Sequence, residues 1–92
     1  MKKGQVKSYV QTMTGNGLLI VKDKTRSITF VNQGGTNVTL YDDVNGILLV
    51  PNSSFVLGGY DDSYRNEDIE ITFAGGAGVL KIIQDKQLNE PC

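Results

Sequence analysis

The side chains able to do chemistry in this 92-residue chain are few and of restricted type. Histidine is absent, which removes Ser-His-Asp and Cys-His catalysis and the commonest zinc sites together. Cys92 is the single cysteine and stands last. It cannot form a disulfide within the chain, and a terminal thiol has few neighbours to lower its pKa, so no reactive role is assigned to it. What remains is carboxylates. Asp42, Asp43, Asp61, Asp62, Glu67 and Asp68 are the candidates for paired acid/base work of the kind used in glycoside hydrolysis. All six fall where turns or loops are expected, and acids are common there for turn geometry alone. The expectation is no catalytic residue.

The same acids are the candidates for calcium. Asp42-Asp43-Val44-Asn45-Gly46 has part of the look of an EF-hand loop. Placing Gly46 at the turn glycine puts Tyr41 first and Asn52 last, where a carboxylate is required at both ends, and the match fails. A looser site from Asp61, Asp62, Glu67 and Asp68 stays open, but no metal is expected. Gly75-Gly76-Ala77-Gly78 could suggest a phosphate loop. Such loops precede a helix whose N-terminus holds the anion. Here a strand-like run follows, so a glycine-rich hairpin loop is expected, and no cofactor.

The polar stretch from Gly58 to Asp68 offers a different chemistry. It holds Tyr60, Tyr64 and Arg65 among acids and glycines. Tyr and Arg combine apolar area with directional hydrogen bonds and are enriched where proteins bind proteins. These three are the expected partner-binding residues.

The elements that would position these side chains read as strands. From Ser27 to Leu57, four apolar runs (Ile28–Val31, Val38–Tyr41, Ile47–Val50 and Phe55–Leu57) are separated by polar turns, the pattern of a β-meander. Asn45-Gly46 predicts a two-residue type I′ hairpin pairing Val44 with Ile47 and Asp42 with Leu49. Pro51 should end its strand. Before the meander, Val6–Met13 reads as an edge strand, Thr14–Gly17 as a turn, and Leu18–Val21 as a strand apolar on both faces. Lys22–Arg26 reads as another turn. After it, Ile69, Ile71 and Phe73 alternate with Glu70 and Thr72, and Val79–Gln84 forms the last strand. No segment has helical periodicity. The spacing predicts one all-β domain over residues 1–92, a small antiparallel β-sandwich or barrel of about seven or eight strands, with frayed ends at about 1–5 and 86–92.

Composition narrows the partners. Formal net charge is -1, and the basic residues do not cluster as phosphate binding requires, so no nucleic acid is expected. No apolar run approaches the roughly 20 residues of a membrane span, and no secretory leader is visible, so no membrane partner is expected either. Asn37-Val38-Thr39 and Asn52-Ser53-Ser54 match the glycosylation pattern but read as strand and turn residues.

Phe30-Val31-Asn32-Gln33-Gly34, Asn37-Val38-Thr39-Leu40, Leu49-Val50-Pro51-Asn52-Ser53-Ser54-Phe55 and Ile71-Thr72-Phe73-Ala74-Gly75-Gly76, taken together over about residues 27–84, resemble small β-rich virion proteins of tailed bacteriophages of the crAss-like type. This chain departs from them at Asn52, where glycine is usual; asparagine tolerates the same left-handed backbone. The resemblance implies a non-enzymatic capsid auxiliary or decoration protein, made in the host cytoplasm and bound in the virion to the major capsid protein. It brings no catalytic residues. A homo-oligomer is compatible with that role. The competing readings are a carbohydrate-binding or adhesin-type β-sandwich, which would stack sugars on Tyr41, Tyr60 and Tyr64, and a neck or tail structural protein.

Overall fold

A computed structural model describes residues 6–41, 46–58 and 64–87, with the backbone alone for Val6 and Asp23. The described residues form seven strands and one short turn of 3₁₀ helix. The strands are β1 (Val6–Gly15), β2 (Gly17–Asn32), β3 (Val38–Leu40), β4 (Ile47–Leu49), β5 (Ser54–Gly58), β6 (Arg65–Phe73) and β7 (Ala77–Gln87), with Ala74–Gly76 as the helical turn before β7. The all-β expectation holds, and the strands form one antiparallel sheet in the order β1-β7-β2-β6-β3-β4, with β5 also on β2.

β2 is the spine. Its second half pairs with β7 on one edge and β5 on the other, while its first half pairs with β6. Thr25 sits opposite both Lys86 of β7 and Arg65 of β6, so β6 continues the edge that β5 leaves. β5 and β6 are in effect one antiparallel partner of β2. The chain departs from that edge at Gly58, opposite Ser27, and rejoins it at Arg65. The sheet thus has two leaves hinged on β2: β1-β7-β2-β5 and β2-β6-β3-β4.

The inward side chains of both leaves make a single core. Leu19, Val21, Ile28 and Phe30 come from β2, Val38 and Leu40 from β3, Leu49 from β4, Ile69, Ile71 and Phe73 from β6, and Leu80 and Ile82 from β7. Phe55 and Leu57 of β5 and Met13 of β1 close it from the margins. The period-2 alternation predicted for Ile69–Phe73 is observed, since a strand buried on one face must present every second residue to the core.

Several expectations are corrected. Lys22–Arg26 is not a turn but a bulge inside β2, with a register shift between Val21 and Thr25 on the β6 side and Lys24 at a φ of 62°. Local polarity is a turn signal, yet here Thr25 is fully buried and its hydroxyl donates to the Lys22 carbonyl at 2.6 Å. The Lys86 ammonium donates to the same carbonyl at 2.7 Å and to Thr25 Oγ1 at 2.9 Å. The two extra residues on the β6 side, satisfied in this way, bend the strand without breaking it. Thr14–Gly17 is likewise no four-residue turn, because only Asn16 separates β1 from β2; its side chain accepts a bond from the Phe73 amide at 2.7 Å.

The meander is correct in its strands and wrong in its pairings. β3 lies between β4 and β6 rather than beside β2, and β5 pairs with β2 rather than β4. Leu40 faces Ile47 and Val38 faces Leu49, which excludes the predicted Asp42–Leu49 pair and its two-residue turn; residues 42–45 themselves lie outside the described residues. The glycine-rich segment is not a hairpin either. It carries the chain from β6 in one leaf to β7 in the other, and these two strands are not paired. Gly75 and Gly76 adopt φ of 76° and 83° there, values that favour glycine. Pro51 follows the end of β4 as expected. Lys86, assigned to a frayed tail, lies within β7 and is bonded to β2.

Candidate interaction surface

Of the six acids, Glu67 and Asp68 fall among the described residues. Glu67 and Asp68 are neighbours on β6 and so point to opposite faces; Asp42, Asp43, Asp61 and Asp62 lie outside the described residues. Among the described residues no three acids or other ligating side chains converge. A shallow open depression of about 560 Å³ lies between β2 and β6, lined by Asn16, Gly17, Leu18, Glu70, Ile71 and Thr72. Among the described residues its one carboxylate is that of Glu70.

The predicted binding residues are divided by the structure. Tyr60 lies outside the described residues. Tyr64 is exposed just before β6. Arg65 is half-buried and opens β6, so part of the predicted loop is strand. Its Nε donates to Glu67 Oε2 at 2.5 Å, and the Tyr41 hydroxyl donates to Glu67 Oε1. Burial of the Tyr41 phenol, then its bond to Glu67, raises its pKa above the ordinary value. The Glu67 carboxylate likewise raises that of Arg65. Glu67 therefore clamps the end of β3 to the start of β6, and Tyr41, one of the three tyrosines proposed as sugar platforms, is engaged rather than free. Of the described tyrosines, Tyr9 and Tyr64 are the exposed ones.

The broad exposed surface lies on the outer face of the β1-β7-β2-β5 leaf. Strand registry places Val10 beside Ile83, Ile83 beside Thr29, and Thr29 beside Val56. Directly opposed residues share a face, so these four make a β-branched row across the whole leaf. Its ends are open, with Val10 57% and Val56 46% exposed. One flanking row runs Thr12, Lys81, Val31, Ser54; the other runs Ser8, Asp85, Ser27, Gly58. Asp85 accepts bonds from both serines, at 2.5 Å from Ser8 and 3.1 Å from Ser27, so its carboxylate is spent inside the sheet. The other leaf also exposes apolar side chains, Leu18, Ile20 and Leu48, but Glu70 and Asp68 stand opposite the first two. Leu18–Val21, read from the sequence as apolar on both faces, buries Leu19 and Val21 in the core and leaves Leu18 and Ile20 exposed.

The apolar row was not singled out from the sequence. Its signal is present in runs apolar at consecutive positions: Ile28-Thr29-Phe30-Val31, Phe55-Val56-Leu57 and Ile82-Ile83. A strand with one solvated face needs apolar residues only at alternate positions; the surplus marks a second apolar face. No helix among the described residues is long and apolar enough to cross a membrane. Comparison of the chain with protein-family models, with curated proteins and with solved structures finds no match.

Proposed function

We propose that this chain is a non-enzymatic virion structural protein, a capsid auxiliary or decoration protein that docks on the major capsid protein. The observation that carries the docking part is the open row Val10–Ile83–Thr29–Val56 across one leaf. Val10, Ile83 and Val56, aligned with Thr29 on one face and flanked by mainly polar rows, form the kind of patch that marks a protein contact site. The capsid assignment rests on the resemblance of residues 27–84 to crAss-like phage proteins. The chemistry-bearing side chains support a structural role, because Glu67, Asp85 and Lys86 are all engaged in internal bonds. Tyr64, exposed just before β6, extends the contact surface. Modest affinity at one such site suffices when many sites act together on a shell.

Mass spectrometry of purified phage particles tests the reading. A copy number close to that of the major capsid protein is expected. A copy number matching a neck or tail ring would move the protein to that part of the particle, and absence from particles would overturn the proposal. On the shell, Val56→Glu should abolish decoration, and Tyr60→Ala with Tyr64→Ala should weaken it, each without changing the circular dichroism of the free protein. A glycan-array signal lost with the two tyrosines would instead support the carbohydrate-binding alternative.

A further inference from the structure

We propose that β1 pairs antiparallel with β1 of a second copy of this chain, about a twofold axis through Val10, so that the two outer leaves become one continuous eight-stranded face. β1 is anomalous as an edge. It has β7 on one side, no strand on the other among the described residues, and from Lys7 to Thr12 every side chain is exposed, on both faces. Edge strands are ordinarily guarded by proline, by several charges or by shortness. β1 has ten residues, no proline and a single charge, Lys7.

The identity of the occupant follows from complementarity. With Val10 opposite Val10, residue pairs add to a fixed register: Tyr9 faces Gln11, Ser8 faces Thr12, Lys7 faces Met13. The apolar row Val10–Ile83–Thr29–Val56 then runs unbroken through both copies. The flanking rows match as well. Ser8 is next to Asp85 and Thr12 is next to Lys81, so the pairing of Ser8 with Thr12 places Asp85 of one copy and Lys81 of the other on the same row. On these two outer-face rows opposite charges meet and like charges do not, which favours cross-strand pairing; on the other face Lys7 stands opposite Lys86. Moving the axis to Tyr9 or Gln11 sets Val10 against Ser8 or Thr12 and breaks the row. These are the only neighbouring registers that keep outer face with outer face, since a shift of one residue inverts every side chain.

The size suits a reversible dimer. Nine paired residues, Val6 to Thr14, form a seam of about 30 Å. Covering the edge and flanks of both strands removes on the order of 1,000 Å² from water, the lower limit for a specific interface. The inference is independent of the virion reading: a dimer found in a protein absent from particles leaves it standing, and a monomer found on capsids refutes it alone.

Sedimentation velocity over a concentration series, with cysteine cross-linking, tests it. The wild-type protein should shift from monomer to dimer as concentration rises, and Val10→Glu, which sets two carboxylates face to face at an exposed position, should remain monomeric at every concentration with an unchanged circular dichroism spectrum. In a Cys92→Ser background, Val10→Cys should oxidise to a covalent dimer, its sulfurs carried by Cβ atoms about 5 Å apart. Thr12→Cys should not, because its partners lie about 13 Å apart along the seam. A monomer throughout, a dimer that Val10→Glu leaves intact, or equal cross-linking at the two positions would overturn the proposal.

Discussion

Asn32 shows how much of this fold a single polar side chain holds. It is fully buried at the end of β2, where its amide group donates to the carbonyls of Thr36 at 2.8 Å and Leu49 at 2.9 Å. Its side-chain oxygen accepts from the Gly34 amide at 3.1 Å, and its backbone bonds to Ser53 and Asn52. One residue thus ties β2, the turn that follows it, and β4. Asn32→Ala strips the Leu49 carbonyl of this partner in a dry environment. The expected loss is about 2–3 kcal/mol, since each buried group left unsatisfied costs roughly 1–3 kcal/mol, read as a lower urea midpoint with unchanged slope. Tyr41 supplies a pH test. Its pKa is raised in the folded state, so its contribution to stability is fully present below the unfolded value near 10 and is lost as pH rises through the folded value. Alkaline urea titrations should show a stability decline that is shallower in Tyr41→Phe.

The strands could be read residue by residue; their partners could not. Val38–Leu40, Ile47–Leu49 and Phe55–Leu57 announce themselves as strands through apolar runs and turn residues, which are local properties. Pairing is set by what the whole chain can bury. β3 goes to β6 because Val38 and Leu40 then meet Phe73 and Ile71 in the core, and nothing within a ten-residue window contains that choice. The bulge in β2 was hidden for the same reason, since Lys86, which closes it, stands more than sixty residues away. Of the expected site, Tyr64 is exposed, Arg65 is bound to Glu67, and the apolar row emerged only once the registers were known. The departure of the chain at Gly58 is an element-scale device open to test. Gly58 has a φ of 84°, and an added Cβ would lie 2.5 Å from the Arg26 carbonyl oxygen. Gly58→Ala should therefore lower stability by more than the ~1 kcal/mol typical of an unfavourable left-handed alanine. At Gly35 an added Cβ meets nothing within 4 Å and φ is not positive, so Gly35→Ala should be neutral or slightly stabilising in the same denaturation series.

At the scale of the molecule, the long spine and the lateral arm set the shape. The radius of gyration is 14.2 Å and the longest dimension 49 Å, against about 12 Å for a compact domain of this length. Elongation gives up buried area, and the deficit falls on β1, where Met13 is the residue packed against the core. Opening of the sheet should accordingly be uneven, because local stability follows the apolar contacts that each strand makes. Amides of β2 and β6, at the centre of the core, should exchange with solvent only on global unfolding. Those of β1 should exchange through a local opening that leaves the other six strands paired. That hierarchy depends on concentration if β1 is the seam of a dimer. In dilute solution β1 should be the least protected strand, and its protection should rise as protein concentration rises, with β2 and β6 unchanged, since a partner that binds only the closed arm stabilises it by mass action. Val10→Glu should keep β1 at its dilute-solution value throughout. Hydrogen exchange resolved by strand measures both terms at once, the intrinsic weakness of the arm and what a second chain adds to it. Concentration-independent protection of β1 would mean that the arm is held by its own contacts with β7.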